Sequence, residues 1–243
     1  MVLIGAGQLV GGDRLGDHDG SKPVSVGSFW LDTIETPVRL YRTCVAQLGC
    51  RPPETLAYHN GHHLNARADK SCAIHTSVAD LPASCVTQQA AATFCKWAGK
   101  RLPTSAEWEL AASGRKARRF PWGPDPLTKG VCFKLINFAK DPLPVPPHTC
   151  AVGTSATDKT PEGVLDMAGN VMEWTSTPYV FRNDHRDLRS GQNGEVIVRG
   201  GPSLSDSEDS LRTDYWEVAT ADSATDTYGF RCAKSVDSGS APP

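Results

Sequence analysis

Glycine and proline are spread along the whole chain, with 22 glycines and 18 prolines among 243 residues. Because glycine favours turns and proline interrupts helices and central strands, this distribution excludes long regular elements over most of the sequence. A chain of this length still buries a substantial core, and the sequence contains no internal repeat and no second hydrophobic core. We therefore predict one irregular α+β domain with little regular secondary structure.

Composition and charge exclude several classes of partner. The formal net charge is −2, so no electrostatic feature predicts binding to nucleic acid. No apolar run approaches the roughly 20 residues that a transmembrane helix needs, so we predict no membrane insertion. Residues 1–12 contain a short apolar stretch without a basic region or a cleavage-type end, which predicts a first strand rather than a signal peptide.

The chain has eight cysteines: Cys44, Cys50, Cys72, Cys85, Cys95, Cys132, Cys150 and Cys232. They contain no C-x-x-C pair, which argues against a zinc ribbon or a thioredoxin-like site. Disulfides in an oxidising compartment and ordinary buried thiols both remain open, and we favour disulfides. The cysteine count thus predicts an extracytoplasmic or secreted protein. Because no signal peptide is predicted, this requires a processed or excised domain, and a cytoplasmic location stays open.

Three segments have the pattern of amphipathic helices: 36–50, 87–100 and 104–114. The first is predicted to begin with Thr36 as N-cap and Pro37 as its first residue. The third has a capping box formed by Thr104 and Glu107. Short strands are predicted at 24–32, 195–201 and 228–233.

Several motifs together resemble one known family. They include "FCKWAGKRLPTSAEWELAA", "GVLDMAGNVMEWT", "VRGG" and "GFRCA", in that order. The chain resembles the formylglycine-generating enzyme family, also called sulfatase-modifying-factor domains. The resemblance covers residues 1–235 and leaves 236–243 as a predicted disordered tail. It implies a C-type-lectin-like α+β fold.

The resemblance also implies a chemistry that this chain lacks. Family members oxidise a substrate cysteine with dioxygen, using copper held by two cysteines spaced C-x-x-x-x-C after a Gly-Gly pair. That pair matches Gly200 and Gly201, and the two following cysteine positions are occupied by Ser205 and Ser210. A hydroxyl is a hard, protonated oxygen and does not replace a thiolate for soft Cu(I). We therefore expect no copper and no catalytic residues at this site.

The segment "LDMAGNVMEW" places Asp166, Asn170 and Glu173 close together around Gly169. Clustered oxygen ligands next to a glycine suit calcium, a hard cation. The resemblance implies a structural calcium site here, with the side chains of Asp166 and Glu173 and the carbonyls of Gly169 and Val171 as ligands.

A second calcium site is implied at Asn137 and the carbonyl of Phe138, although its downstream carboxylate has no clear counterpart. The resemblance further implies a disulfide between Cys95 and Cys232. For the other cysteines, sequence neighbours suggest Cys44–Cys50, Cys72–Cys85 and Cys132–Cys150, and a different pairing within 44–85 is equally allowed.

Between Ser205 and Tyr228 the chain has seven acidic residues and one basic residue. Aromatic side chains between them provide anchor area, and the acids steer a cationic partner. This pattern predicts a surface for a protein or a small polar or cationic ligand, although a soluble loop would look similar. The predicted ligand-binding residues are Asp206, Asp209, Arg212, Asp214, Tyr215 and Trp216.

These features favour a non-catalytic, enzyme-like domain that acts in recognition, as a module of a larger bacterial multidomain protein or assembly. One alternative is an oxygen-dependent oxidoreductase with a non-cysteine site built on the histidines of "YHNGHH" (58–63) and His75. Another is a retroelement-diversified receptor that varies residues 203–228.

Overall fold

The structure is a computed structural model that describes residues 1–9, 23–52, 58–59, 62–63, 72–125, 129–141, 148–182, 188–190 and 194–236. Its α-helices are α1 (Val38–Ala46), α2 (Gln88–Trp97) and α3 (Ser105–Ser113). The first strands are β1 (Val2–Ile4), β2 (Gly7–Leu9), β3 (Val24–Val26), β4 (Phe29–Leu31), β5 (Tyr58–His59), β6 (His62–His63) and β7 (Lys134–Leu135). The later strands are β8 (Met172–Pro178), β9 (Val180–Arg182), β10 (Leu188–Ser190), β11 (Glu195–Arg199), β12 (Leu204–Ser205), β13 (Trp216–Thr220), β14 (Tyr228–Gly229) and β15 (Ala233–Ser235).

Short helices among many short strands confirm the predicted α+β class with little regular secondary structure. The predicted tail, 236–243, lies outside the described residues except for Val236. Across the described parts of the chain, no helix has the length and apolar character needed to cross a membrane.

The capping signals of the second and third helices are confirmed. In α3, the Thr104 hydroxyl accepts from the N–H of Glu107 at 3.1 Å, and the Glu107 carboxylate accepts from the N–H of Thr104 at 2.8 Å. In α2, the Thr87 hydroxyl accepts from the N–H of Ala90 at 3.2 Å. These bonds satisfy N–H groups that the first helical turn leaves without a partner.

The first helix differs from its prediction at both ends. Its N-cap is Pro37 rather than Thr36, because the Thr36 backbone is held by the carbonyl of Phe230 and the N–H of Ala83. The helix ends at Ala46, before the predicted residue 50. Leu48, two residues after the end of the helix, has a φ of 58° and is 93% exposed.

Two sheets organise the core. The larger has the strand order β13-β11-β8-β14, in which β11 is antiparallel to both neighbours and β14 is parallel to β8. The smaller has the order β1-β4-β15 and is antiparallel. One apolar cluster joins α1 and α2 to the larger sheet, and a second joins α3 to the smaller sheet. Trp174 belongs to the first cluster and Trp108 to the second, and both side chains are completely buried.

Four disulfides link the eight cysteines: Cys44–Cys50, Cys72–Cys85, Cys95–Cys232 and Cys132–Cys150. This confirms the pair implied by the resemblance and the three suggested by sequence neighbours. The Cys95–Cys232 bond spans 137 residues, a loop for which the chain-entropy model gives about 5 kcal/mol of stabilisation. Four disulfides are consistent with an extracytoplasmic location.

Candidate functional site

The chain turns sharply after β11 through a pair of glycines. Gly200 has a φ of +74°, a backbone conformation that favours glycine. A Cβ atom at Gly201 would lie 2.4 Å from the carbonyl oxygen of Ser210. The two glycines therefore allow the following segment, 203–211, to fold back against its own start.

Ser205 and Ser210 both lie in this folded-back segment. Ser205 is in β12, which pairs in parallel with β7, and Ser210 is in a short 3-10 helix, Glu208–Leu211. The two side chains are 8% and 1% exposed. The Ser205 hydroxyl accepts from the N–H of Ser207 at 3.3 Å, and the Ser210 hydroxyl donates to the carbonyl of Ser207 at 2.9 Å. Both hydroxyls thus bond to one backbone residue and offer no thiolate to a soft metal.

An open cavity of about 560 Å³ begins at the residue after Ser205. It is lined by Leu135, Ile136, Asn137, Phe138, Ala139, Asp141 and Asp206, and we call it the acidic cleft. Leu135 and Phe138 are 53% and 56% exposed. Large exposed apolar side chains beside two carboxylates are typical of a binding surface. The sequence assigned Asn137 and Phe138 to a predicted calcium site but did not indicate that they lie beside Asp206.

Asp206, at the edge of the acidic cleft, belongs to a group that also contains Tyr215. The Tyr215 hydroxyl donates to the carboxylate of Glu217. Burial raises the pKa of Tyr215, and the negative charges of Glu217 and Asp206 raise it further. Burial also raises the pKa of Tyr228, again with a contribution from Glu217. These phenols therefore stay protonated beside an acidic surface.

Two other predicted ligand residues are paired with each other. Arg212 binds Asp214 through two hydrogen bonds, at 2.8 and 2.7 Å, so the pair carries little net charge. Asp209 is exposed and lies 3.7 Å from a guanidinium nitrogen of Arg119. These side chains form a charged neighbourhood apart from the Tyr215–Glu217 pair.

Trp216 is the first residue of β13, and its ring packs near that of Tyr179 with centroids 6.1 Å apart. Side chains alternate between the two faces of a strand, so Trp216 points away from the face shared by Tyr215 and Glu217. The six predicted ligand residues therefore do not form one site. The structure places Asp206 and Tyr215 near each other and adds Glu217 and Tyr228.

The predicted calcium loop has an unexpected partner for Glu173. Both oxygens of its carboxylate accept from the guanidinium of Arg231, at 2.7 to 2.9 Å, and one also accepts from the indole N–H of Trp108 at 2.9 Å. The ion pair is completely buried. In this arrangement Glu173 is engaged by a protein cation, so it does not fit the predicted role of calcium ligand.

Asp166 has a different environment. One carboxylate oxygen accepts from the N–H of Gly153, whereas the other is buried without a hydrogen-bond partner. Asp158 is similar, with one oxygen accepting from the N–H of Ala168 at 2.8 Å and the other buried and unpartnered. Unpartnered carboxylate oxygens suit a hard cation, so Asp166 fits the predicted calcium ligand. Among the described residues, no group of three or more Asp, Glu, His or Cys side chains is arranged to hold a metal ion by itself.

Among the described residues, four buried carboxyl groups, of Glu35, Asp158, Asp166 and Glu173, lie near one cation, Arg231; we call these five residues the polar core. Glu35 is completely buried and accepts from the side-chain amide of Asn170 and from the N–H of Val171. Burial raises the pKa of Glu35 well above its usual value, and the neighbouring carboxylates Asp166 and Glu173 raise it further. Burial likewise raises the pKa of Asp166. The cluster therefore needs protons or a bound cation to limit its charge.

The second predicted calcium site lies at the acidic cleft. The side-chain oxygen of Asn137 accepts from the N–H of Ala139 at 3.1 Å, and Asp141 accepts from the N–H of Asn137 at 2.8 Å. These bonds form a local turn that exposes Phe138. Asp141 is a carboxylate that sequence reasoning did not place here. Calcium at Asn137 and Phe138 stays a prediction.

The alternative histidine site falls largely outside the described residues. The backbones of Tyr58–His59 and His62–His63 pair as β5 and β6, but their side chains are not among those described. His75 lies in a short 3-10 helix, Ala73–His75.

Replacing Asp158 by asparagine tests the electrostatics of the polar core. Burial raises the pKa of folded Asp158 to about 8, whereas an unfolded aspartate titrates near ~3.9. Between these two pKa values the folded state keeps a proton on Asp158 that the unfolded state has lost. The free energy of unfolding of the wild type is therefore highest below about pH 4 and falls as the pH rises towards 8. Asp158→Asn stays neutral and keeps an acceptor for Ala168. It should be more stable than the wild type at pH 8, by on the order of a few kcal/mol.

Urea unfolding in the presence of a chelator, at several pH values between 4 and 8, measures this difference. Asp222→Asn, at an exposed aspartate, is the matched control and should show no such trend. A difference between Asp158→Asn and the wild type that shrinks as the pH rises would contradict the expected titration.

Comparison with known proteins finds a matching family model and several similar sequences. The model of a family described as the sulfatase-modifying factor enzyme 1-like domain matches residues 1–236. Serine/threonine-protein kinase pkn1 of Chlamydia caviae is 31% identical over 97% of this chain, and the chain spans 38% of that protein's length. The formylglycine-generating enzyme of Streptomyces coelicolor is 37% identical over 62% of this chain and 52% of its own. Inactive C-alpha-formylglycine-generating enzyme 2 of the mouse is 33% identical over 65% of this chain and 50% of its own.

Two solved structures share the fold. PvdO from Pseudomonas aeruginosa matches with a TM-score of 0.66 and 20% identity, covering 96% of this chain and 93% of that one. Treponema denticola variable protein 1 matches with a TM-score of 0.64 and 18% identity, covering 97% and 95% of the two chains. The family model matches nearly the whole chain, and the sequence motifs and the fold agree with this match. The chain therefore belongs to the formylglycine-generating enzyme (sulfatase-modifying factor) family.

Proposed function

We propose that this domain is a non-catalytic member of its family and binds a cationic segment of a partner protein at the acidic cleft. The proposal rests mainly on the burial and the hydrogen bonding of Ser205 and Ser210. Both hydroxyls are buried and bonded to Ser207, at positions where the family resemblance places copper-binding cysteines. An open acidic cavity with exposed apolar walls begins at the next residue, Asp206.

The chemistry of the cleft supports a lysine- or arginine-bearing ligand. Asp141 and Asp206 supply negative charge, and Leu135 and Phe138 supply apolar area. A long basic side chain buries its aliphatic stem on apolar groups while its charged head meets carboxylates. A guanidinium also binds favourably over an aromatic face such as that of Phe138.

The relatives support a non-enzymatic module within a longer protein. The mouse relative is named as an inactive enzyme of this family. The Chlamydia relative named as a kinase is much longer than this chain, which spans 38% of it. In this proposal the domain supplies recognition to a larger bacterial protein or assembly, and its four disulfides favour an extracytoplasmic position.

A peptide-binding experiment tests the proposed cleft. A labelled peptide with two arginines separated by a leucine should bind saturably in fluorescence anisotropy, and its glutamine twin should not. The double variant Asp141→Asn/Asp206→Asn should weaken binding by roughly tenfold, because it removes two carboxylates while keeping side-chain shape and oxygen acceptors. Asp125→Asn/Asp222→Asn removes the same charge elsewhere and is the matched control. If both double variants weakened peptide binding equally, the effect would be one of general charge, and the acidic cleft would be rejected as the binding site.

We also propose that calcium stabilises the polar core through Asp166, whose second carboxylate oxygen is buried and unpartnered. Such a cation would neutralise excess carboxylate and bind only the folded state. Its role in this proposal is structural, as expected from the sequence.

Removing the metal tests this role. Chelation should lower the thermal unfolding midpoint by several degrees, and calcium should restore it. Asp166→Asn keeps an acceptor for Gly153 and should abolish the response to calcium. Metal analysis of the purified wild type should return calcium and little copper. An unfolding midpoint that does not change with chelator or calcium would contradict the proposal.

A further inference from the structure

A second cleft lies at the end of α3 and carries the opposite charge. Its volume is about 450 Å³, and its apolar walls are Ile4, Leu110 and Pro161. Three cationic side chains line it: Arg115, Lys116 and Arg118. We call it the basic cleft. None of its described lining residues also lines the acidic cleft.

Two of these cations have no carboxylate partner among the described residues. Arg115 and Lys116 are exposed, and neither lies within ion-pairing distance of a described acid. The Arg115 guanidinium nevertheless lies against the protein backbone. A Cβ atom at Gly5 would lie 2.5 Å from a guanidinium nitrogen of Arg115, so this guanidinium packs directly on the backbone of the β1–β2 turn. No acid among the described residues neutralises its charge at the cleft.

Arg118 forms the opposite side of the basic cleft and is more strongly fixed. Its guanidinium donates to the carbonyl of Ala112 at 3.1 Å and to the carboxylate of Glu162 at 3.0 Å. A Cβ atom at Gly114, which has a φ of +62°, would lie 2.4 Å from another of its nitrogens. The Nε atom of Arg118 is buried without a hydrogen-bond partner. Among the described lining residues, one acid, Glu162, therefore faces three cations.

This charge excess identifies the kind of ligand that the basic cleft suits. A phosphorylated side chain carries a charge of about −2 and three acceptor oxygens, which match several guanidinium and ammonium donors at once. Arginine presents its donors in a planar fork that suits phosphate particularly well. Pro161 is the exposed apolar residue of the described lining and adds contact area beside the phosphate, whereas Ile4 and Leu110 are almost completely buried.

We propose that the basic cleft binds a phosphorylated serine or threonine of a partner protein, with Arg115 and Lys116 as the principal phosphate ligands. Arg118 supports them from the other side of the cavity, where Glu162 fixes its position. This site is independent of the acidic cleft and of the cationic ligand proposed for it.

The probe is a ten-residue peptide with a central phosphoserine flanked by leucines, compared with its unphosphorylated twin. Fluorescence anisotropy should show saturable binding of the phosphopeptide, competition by inorganic phosphate at higher concentration, and no binding of the twin. Arg115→Gln/Lys116→Gln should weaken binding at least about tenfold, a loss of about 1.4 kcal/mol. Both side chains are exposed, so the thermal unfolding midpoint should not change.

The matched control is Lys96→Gln/Lys129→Gln, which removes the same charge from exposed positions outside the basic cleft. It should bind the phosphopeptide as the wild type does. Equal binding of the twin peptide, equal weakening by the control, or absence of saturation would overturn the proposal. A dimer of this chain that is seen in sedimentation and is lost in Arg115→Gln/Lys116→Gln would also overturn the proposal. In that case a second copy of the chain, rather than a phosphorylated partner, would occupy the basic cleft.

Discussion

The buried ion pair between Arg231 and Glu173 joins the parts of the molecule on which the rest of the structure depends. Besides Glu173, the Arg231 guanidinium binds the carbonyls of Leu165 and Asp166, at 2.9 and 2.7 Å. Glu173 in turn accepts from Trp108 of α3. This ion pair therefore connects the segment between β14 and β15, which contains Arg231, to β8, to α3 and to the loop before β8. Removing either partner of such a pair would cost about 3–5 kcal/mol, because the remaining charge stays buried.

The same core supports the segment that carries the two serines. The carbonyl of Asn170, three residues before Glu173, accepts from the N–H of Ser203 at 3.0 Å. The carbonyl of Ser203 accepts from the N–H of Lys134 at 2.8 Å, which begins the β12–β7 pairing. The polar core, the serine segment and the wall of the acidic cleft are thus consecutive parts of one hydrogen-bonded structure. None of these bonds requires a cysteine at 205 or 210, so the proposed loss of the copper chemistry leaves this scaffold intact.

Local signals in the sequence predicted local structure well. The capping box of Thr104 and Glu107 lies within one helical turn, and the short disulfides join cysteines close in sequence. The long Cys95–Cys232 disulfide was reached only through the family resemblance. The pairing of Glu173 with Arg231 joins residues 58 positions apart and has no local signature, so the sequence indicated a metal ligand instead. The sequence did not indicate the acidic cleft for the same reason. The cleft depends on the pairing of β7 with β12, which are about 70 residues apart in the sequence.

The central claim is that the family fold has been kept while the family oxidation has been lost. It is tested most directly by incubating the protein with Cu(I), dioxygen and a cysteine-bearing sulfatase peptide, and by following the peptide in mass spectrometry. The formylglycine-generating enzyme of Streptomyces coelicolor is the positive control and should convert the peptide. This protein should leave the cysteine unchanged, because Ser205 and Ser210 offer hydroxyls in place of thiolates. Conversion of the peptide cysteine to formylglycine by this protein would contradict the account.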